Sequence, residues 1–170
     1  MNFSILAQLP VSMQVRGEKN PNIHCFCLAG QNALTSKNCS MEIFEFSAWL
    51  NVSVLALVTA FQVALISGAP LGEYAFGGQN KGVLPRNLRI GSVITSFLYL
   101  GIAGHYLAQL GIFPKLLSPE LNQAANWVIV GLNGLALIMN TITPSKKERM
   151  IWAPVALVLV STSIVIALNF

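Results

Sequence analysis

The residues whose types and spacing could support chemistry are concentrated in a glycine-rich segment, residues 68–89. This segment combines ionisable side chains with glycines and prolines, so it could present charges and exposed backbone amides together. Its candidate functional residues are Gly68, Pro70, Gly72, Glu73, Gly77, Gly78, Lys81, Pro85, Arg86 and Arg89. The charged members could form a cluster, and amides around Gly77 and Gly78 could bind an anionic head group. Alternatively, the segment is an ordered connector that folds against the end of the helices.

A second set of polar groups lies inside otherwise apolar stretches. Asn126, Asn133 and Asn140 recur every seven residues, which places three amides along one stripe of a helix. The other candidates in this set are Gln62, Tyr99 and His105. These groups could form a polar pathway or a small-molecule site, or they could join helices at roughly 0.6 kcal/mol per hydrogen-bonded pair. His105 could act as a ligand or proton acceptor, or it could lie in wet surroundings near the membrane interface.

Metal-binding and catalytic motifs are incomplete in this sequence. Cys25 and Cys27 with His24 resemble a metal-binding fragment, but a closed zinc site needs a second pair of ligands that the pattern lacks. The chain contains no aspartate, which excludes a Ser/His/Asp triad, and it has no His-Glu-x-x-His or Gly-x-Ser-x-Gly motif. We therefore expect no metal, no cofactor and no enzymatic activity.

Composition places these polar residues in a membrane protein. Hydrophobic residues make up 54% of the 170 residues, charged residues 9%, and the mean hydropathy is +0.63. A soluble domain usually carries about 25% charged residues. The net charge of +4 could suggest nucleic acid, but the basic residues are few and lie beside apolar runs, as in a basic rim at a membrane surface. We therefore expect the lipid bilayer, and not nucleic acid, as the main partner.

Four runs without Asp, Glu, Lys or Arg follow Glu45, and each is long enough to cross a bilayer. A helix of about 20 residues spans a hydrocarbon core of about 30 Å. Because lipid offers no hydrogen-bond partners to the backbone, each run should be a helix. The predicted spans are residues 48–67, 90–110, 126–143 and 151–168. The sequence thus predicts an all-α fold over residues 41–170, a four-helix transmembrane bundle with a long glycine-rich loop between helices 1 and 2.

The distribution of basic residues predicts how the bundle is oriented. The loop between the second and third spans holds only Lys115, whereas the loops after the first and third spans are richer in lysine and arginine. These richer loops contain Lys81, Arg86, Arg89, Lys146, Lys147 and Arg149. Because basic loops remain in the cytoplasm, both loops should be cytoplasmic and both termini outside, with the protein in the cell (inner) membrane.

Residues 1–40 differ from the rest of the chain. They show no periodic apolar pattern, and the short apolar stretch at residues 5–11 contains Pro10 and lacks a basic region before it. A signal peptide is therefore poorly supported. The segment is either a poorly ordered external extension or an upstream stretch that is not translated. The internal consistency of the sequence after Met41 favours the second alternative.

The first span also carries a regular series of small residues. Ala56, Ala60, Ala64 and Gly68 recur every four residues and so lie on one helix face. Small residues let helices approach closely in lipid, where packing drives association. The pattern favours a non-enzymatic accessory membrane protein that packs against a second copy or a partner protein. The alternative is a small transporter or channel subunit that uses the asparagine stripe, and a lipid-modifying enzyme that uses Glu73 is less favoured.

Three motifs link the glycine-rich segment to the start of the last span. They are Gly-Ala-Pro-x-Gly at residues 68–72, then Gly77-Gly78 with Leu84-Pro85 and Arg89, and finally Glu148-Arg149-x-x-Trp152-x-Pro154. Together they resemble an uncharacterised family of small bacterial four-helix integral membrane proteins. The resemblance covers residues 41–170. It implies the same four-helix topology and brings no activity with it.

Overall fold

The protein is built from four long α-helices in the part of the chain that a computed structural model describes, residues 33–169. The helices are α1 (Ala33–Ile66), α2 (Arg86–Gln109), α3 (Pro119–Ile142) and α4 (Lys146–Asn169), and no strand occurs among these residues. Each helix is long and apolar enough to cross a membrane. The predicted all-helical fold with four candidate spans is therefore confirmed. The possible metal fragment at residues 24–27 lies outside the described residues.

The starts of α3 and α4 follow local capping signals and not the edges of the apolar runs. The Ser118 hydroxyl accepts a backbone amide of the first turn of α3 at 3.4 Å, and Pro119 follows it. The Ser145 hydroxyl likewise accepts the backbone amide of Glu148 in α4 at 3.3 Å. Each helix begins before its predicted span, and in α3 and α4 the polar cap lies outside the apolar run. Helix α1 begins at Ala33, so it includes the end of the predicted extension at residues 1–40.

The helices run alternately up and down. At one end, the α1–α2 connector (residues 67–85) meets the α3–α4 turn, where Ser145 Oγ donates to the Glu73 carbonyl at 3.3 Å. At the other end, Ser40 Oγ donates to Asn169 Oδ1 at 2.8 Å and so joins the start of α1 to the end of α4. Helix α1 packs on both α2 and α4, and α3 packs on α4. Helices α2 and α3 have no comparably close backbone contact.

The buried and exposed side chains are distributed as a lipid-facing protein requires. One apolar core cluster contains Ala48, Leu55, Ile102, Tyr106, Ile129, Leu159 and Ile166. Large apolar side chains also point outward, with Leu57 72% exposed and Phe97 71% exposed. Several amides and hydroxyls are buried instead, including Asn51 and Ser163 at 0% exposure. Exposed apolar surface around a partly polar interior indicates that lipid covers the outside of the bundle.

The connector between α1 and α2 is ordered along its length. It contains two short 3₁₀ turns, Gly72–Tyr74 and Phe76–Gly78. Leu65, Ala75 and Leu84 are buried together and anchor it to the helices. Phe76 has a φ of 52° and the two glycines that follow also have positive φ. This left-handed backbone costs a side-chain-bearing residue about 1–2 kcal/mol, so the contacts of the Phe76 ring must offset the strain.

Candidate functional site

A cavity of 370 Å³ lies between the four helices, beneath the connector. Residues from every helix line it, and the connector covers it with Ala75 and Phe76. Its polar lining consists of Gln62, Thr95, Tyr99, Asn133, Asn140 and Glu148. Small-molecule sites in proteins are usually concave, mostly apolar and about 300–1,000 Å³, with a few convergent polar groups. This cavity has the size and the mixed lining of such a site.

The predicted intramembrane polar residues divide between this cavity and the opposite end of the bundle. Gln62, Tyr99, Asn133 and Asn140 line the cavity, whereas His105 does not. His105 Nε2 lies 3.0 Å from Oδ1 of Asn126 and 2.7 Å from Nε2 of Gln109. The histidine therefore belongs to a hydrogen-bonded group that joins α2 to α3, which neither of its two predicted roles included.

Ser163 joins all four helices through one buried hydroxyl. Its Oγ accepts from Asn133 Nδ2 on α3 at 2.7 Å, from the Tyr106 hydroxyl on α2 at 3.3 Å and from Asn51 Nδ2 on α1 at 3.2 Å. Asn51 also donates to Thr162 Oγ1 at 2.8 Å. The Ser163 hydroxyl proton is directed to the Leu159 carbonyl of its own helix at 2.7 Å, so the three donors share the two lone pairs of this oxygen. This polar layer lies beyond the cavity on the side away from the connector.

The asparagine stripe of α3 is interrupted by these contacts. Asn126 is occupied by the His105 and Gln109 side chains, and Asn133 donates to Ser163. Asn140 donates to a backbone carbonyl of its own helix at 2.7 Å while it lines the cavity. The three amides thus have separate partners and do not form one continuous row of available polar groups.

Glu148 is a cavity residue that the sequence analysis treated only as part of a family motif. It is 8% exposed, and its Oε2 accepts from the Thr143 hydroxyl at 2.9 Å. Among the described side chains, residues 40–169, the ion pair is Glu73–Lys147, so Glu148 has none of their basic groups within 4.0 Å. The pattern Ser145-x-x-Glu148 is a capping-box signature, which places the glutamate in the first turn of a helix. That signal could have assigned it to α4 and not to a loop.

Aromatic rings form much of the apolar lining near Glu148. Trp152 lies one turn after Glu148 on the same face of α4, and its indole N–H donates to the Tyr74 carbonyl of the connector at 2.7 Å. Its ring centroid is 4.6 Å from that of Phe61 on α1. The Phe76 ring lies against Gly91 of α2, where an added Cβ would be 3.3 Å from the ring. The connector therefore fixes two aromatic rings at this end of the cavity.

Glu73 of the predicted charged cluster forms its ion pair outside residues 68–89. Lys147 Nζ lies 2.8 Å from Glu73 Oε2, and the hydrogen bond from this lysine holds the pKa of the Glu73 carboxyl below its usual range. Arg89 Nε donates instead to a connector carbonyl at 2.9 Å, and Lys81 and Arg86 are exposed. The first 3₁₀ turn therefore presents Glu73 to the start of α4, and the cluster of Glu73 with Lys81, Arg86 and Arg89 stays a prediction.

The connector glycines allow close packing of the chain, and the Gly78 amide of the predicted anion site is already bonded within the connector. The Gly78 amide donates to the Ala75 carbonyl at 3.0 Å, and a Cβ on Gly78 would collide with Ser145. A Cβ on Gly72 would lie 2.5 Å from the Asn80 carbonyl oxygen. These two residues must be glycine because backbone or another element occupies the space of a side chain.

The remaining candidates of the segment shape the ends of the connector. Gly68 has a φ of 90°, follows α1 and lies against the Arg89 guanidinium. Gly77 has a φ of 80° within the second 3₁₀ turn. Pro70 is exposed, and Pro85 precedes the first residue of α2. These residues determine the path of the chain, and the cavity lining lies elsewhere.

Comparison with known proteins adds no family assignment. No protein-family model, curated protein or solved structure matches this chain. The fold defines an all-helical protein with four candidate transmembrane helices around a cavity. The resemblance to a family of small bacterial membrane proteins stays a prediction.

Proposed function

We propose that this chain is a non-enzymatic multi-pass membrane protein that binds a small molecule in the cavity between its four helices. One observation carries the proposal: polar residues from α1, α2, α3 and α4 converge with aromatic rings on a single 370 Å³ cavity. A few convergent polar groups in an apolar cavity orient a ligand and make its binding selective. The mixture of amides, hydroxyls, one carboxylate and aromatic rings suits a ligand with both polar and apolar parts.

The absence of a comparably close backbone contact between α2 and α3 supports entry of the ligand from the bilayer. Tyr99 lines the cavity from α2, and Met139 and Asn140 line it from α3. Met139 is 57% exposed, so this wall is also part of the outer surface. Passage through the whole bundle would require the hydrogen bonds at Ser163 to break. The geometry therefore supports binding more directly than the transporter or channel alternative.

A larger side chain in the cavity tests the proposal, and the fluorescence of Trp152 reports ligand binding. The variant Trp49→Phe, Trp127→Phe leaves Trp152 as the remaining tryptophan of the chain's three, and it lines the cavity. In nanodiscs of zwitterionic lipid, we expect saturable quenching of its fluorescence by at least one of three brominated probes: 4-bromobenzylammonium, 4-bromobenzyl alcohol and 4-bromophenylacetate. Ala136→Leu adds volume inside the cavity and should weaken that binding by roughly tenfold or more, a loss of about 1.4 kcal/mol.

Ala124→Leu is the matched control for this experiment. Ala124 lies on the same helix, is exposed and does not line the cavity, so the same added volume meets lipid there. Its probe affinity should equal that of the parent chain. Equal affinities in the Ala136 and Ala124 variants, or no saturable quenching by any probe, would refute the proposed cavity site.

Self-association through α1 is a second candidate function, and one observation favours it. Ala56 and Ala60 are exposed, while Leu55 and Val58 point into the bundle, so part of the small-residue face is left for a second copy. Ala60→Leu should lower the dimer fraction in lipid, measured by single-molecule photobleaching, because the larger side chain prevents close helix approach. Ala124→Leu serves again as the control, and an unchanged dimer fraction in Ala60→Leu would reject this function.

The same proposal places the protein in the inner membrane of a bacterial cell with both termini outside. Six basic residues support this orientation, since they lie in the connector and in the first turns of α2 and α4, and the connector contacts the α3–α4 turn at this end of the bundle. A chain without native cysteines and with Lys81→Cys offers a direct measurement. A membrane-impermeant maleimide should label this thiol from the cytoplasmic side only, and labelling of intact cells would contradict the orientation.

A further inference from the structure

We propose that the ligand of the cavity is an organic ammonium ion, with Glu148 as its counter-ion. This inference rests on the proposed function and adds the charge and chemical class of the ligand. Two acceptors on facing helices support it, the Glu148 carboxylate on α4 and the Gln62 side-chain carbonyl on α1, and aromatic rings lie beside them.

The buried carboxylate of Glu148 has no positively charged partner among the described residues. Buried charges in proteins are usually paired with an opposite charge, because removal from water is costly when the charge stays uncompensated. Glu148 has one side-chain hydrogen bond, from the Thr143 hydroxyl, and no ion pair among the described residues. A ligand cation would supply the missing partner.

The basic residues nearest to Glu148 in the chain are directed elsewhere. Lys147 pairs with Glu73 on the outer side of the connector. Arg149 Nη1 is directed to the Thr143 carbonyl at 3.4 Å, and Lys146 is exposed. None of these three basic side chains forms an ion pair with the Glu148 carboxylate, which lines the cavity. The arrangement therefore leaves the Glu148 carboxyl without a protein counter-ion at the cavity wall.

Gln62 provides a second acceptor, and this acceptor has no donor among the described residues. Its Oε1 is buried and has no hydrogen-bond partner among the described residues, although Gln62 lines the cavity. An ammonium group carries N–H donors for both this oxygen and the Glu148 carboxylate. A carboxylate or phosphate ligand carries no such donors and would be repelled by Glu148.

The aromatic lining suits the same ligand. Trp152, Phe61 and Phe76 border the cavity from α4, α1 and the connector. Cations bind favourably over aromatic ring faces, and aromatic cages that bind quaternary ammonium ligands use this attraction. The rings also accept the apolar part of an organic amine. Carboxylate, amide oxygen and rings therefore indicate one class of ligand.

Glu148 also occupies the capping-box position of α4, so the test substitution must preserve that local role. Glutamate in a Ser-x-x-Glu box can stabilise the first turn of a helix, and glutamine serves at that position as well. Glu148→Gln therefore removes the charge while it keeps the size and the acceptor for Thr143. Glu73→Gln is the matched control, because Glu73 lies at the same end of the bundle and does not line the cavity.

The three probes quenching Trp152 in zwitterionic nanodiscs test the inference. On the parent chain, 4-bromobenzylammonium should bind roughly tenfold more tightly than 4-bromobenzyl alcohol, and 4-bromophenylacetate should bind most weakly. Glu148→Gln should bring the ammonium affinity down to that of the alcohol. Glu73→Gln should leave the order of the three probes unchanged.

The possible failures separate this inference from the proposed function. Equal binding of the three probes on the parent chain, or an unchanged ammonium preference in a folded Glu148→Gln variant, overturns the ammonium assignment. In both cases, loss of binding in Ala136→Leu would still uphold the cavity as a site. Absence of saturable quenching by any probe overturns the two proposals together. The order of the probes on the parent chain decides the question even if Glu148→Gln does not fold.

Discussion

Replacing Ser163 by alanine should lower the free energy of unfolding by about 2 kcal/mol. Three side chains, those of Asn51, Tyr106 and Asn133, donate to the Ser163 oxygen. Each such polar pair in a membrane contributes roughly 0.6 kcal/mol. Loss of the Ser163 oxygen removes the acceptor of the buried Tyr106 hydroxyl and Asn133 amide, whereas Asn51 keeps its hydrogen bond to Thr162. Leaving one buried donor unpaired costs about 1–3 kcal/mol, which agrees with the loss of stability expected for Ser163→Ala. Reversible unfolding in mixed micelles, followed by circular dichroism, measures the change.

Ser161→Ala is the control that separates this effect from the general loss of a serine. Ser161 is exposed on the same helix, and its hydroxyl donates only to a backbone carbonyl of its own helix, at 2.7 Å, among the described contacts. Its replacement should change stability by less than about 0.5 kcal/mol. Similar losses for Ser161→Ala and Ser163→Ala would show that the shared acceptor does not hold the helices together.

Gly72→Ala should destabilise the protein by about 1–3 kcal/mol, the usual cost of an added methyl group in fully packed structure. The new Cβ would lie 2.5 Å from the Asn80 carbonyl oxygen and 2.8 Å from that of Gly82, and both are backbone atoms. The connector would have to move, and the hydrogen bond from Gly72 N to Gly82 O at 2.9 Å would lengthen. Displacement of the connector should also expose Trp152, so acrylamide quenching of its fluorescence should increase.

Gly101→Ala gives the matched comparison for this methyl group. Gly101 lies within α2, and an added Cβ there would have no atom within 4 Å. Alanine in place of a mid-helix glycine usually stabilises a helix by about 0.5–1 kcal/mol. Opposite signs for the Gly72 and Gly101 variants are therefore expected. A neutral Gly72→Ala variant would show that the connector adapts at little cost.

The number and type of the helices could be predicted because lipid imposes one requirement on every span. A run without charge such as residues 151–168 must form a helix, since only intrahelical hydrogen bonds satisfy its backbone in the bilayer. The positions of the helix ends depend on single residues such as Ser145, whose hydroxyl caps α4 outside the apolar run. Hydropathy carries no information about such caps.

The candidate site was only partly predictable, because it depends on which helices become neighbours. Gln62, Tyr99, Asn133 and Asn140 were recognised as polar residues in apolar surroundings, and all four line the cavity. Glu148 was missed because the predicted span excluded the first turn of α4. Likewise, the Lys147 partner of Glu73 lies 74 residues away along the chain, beyond the reach of local patterns.

The position of Ser163 also sets an order for the biosynthesis of this protein. Asn51, Tyr106 and Asn133 belong to α1, α2 and α3, which leave the ribosome before α4. Asn51 lies 112 residues ahead of the oxygen that it shares with the other two donors. Until α4 enters the membrane, these side chains must be satisfied by one another, by water or by an insertion factor. The native interior therefore forms only when the last of the described helices has been inserted.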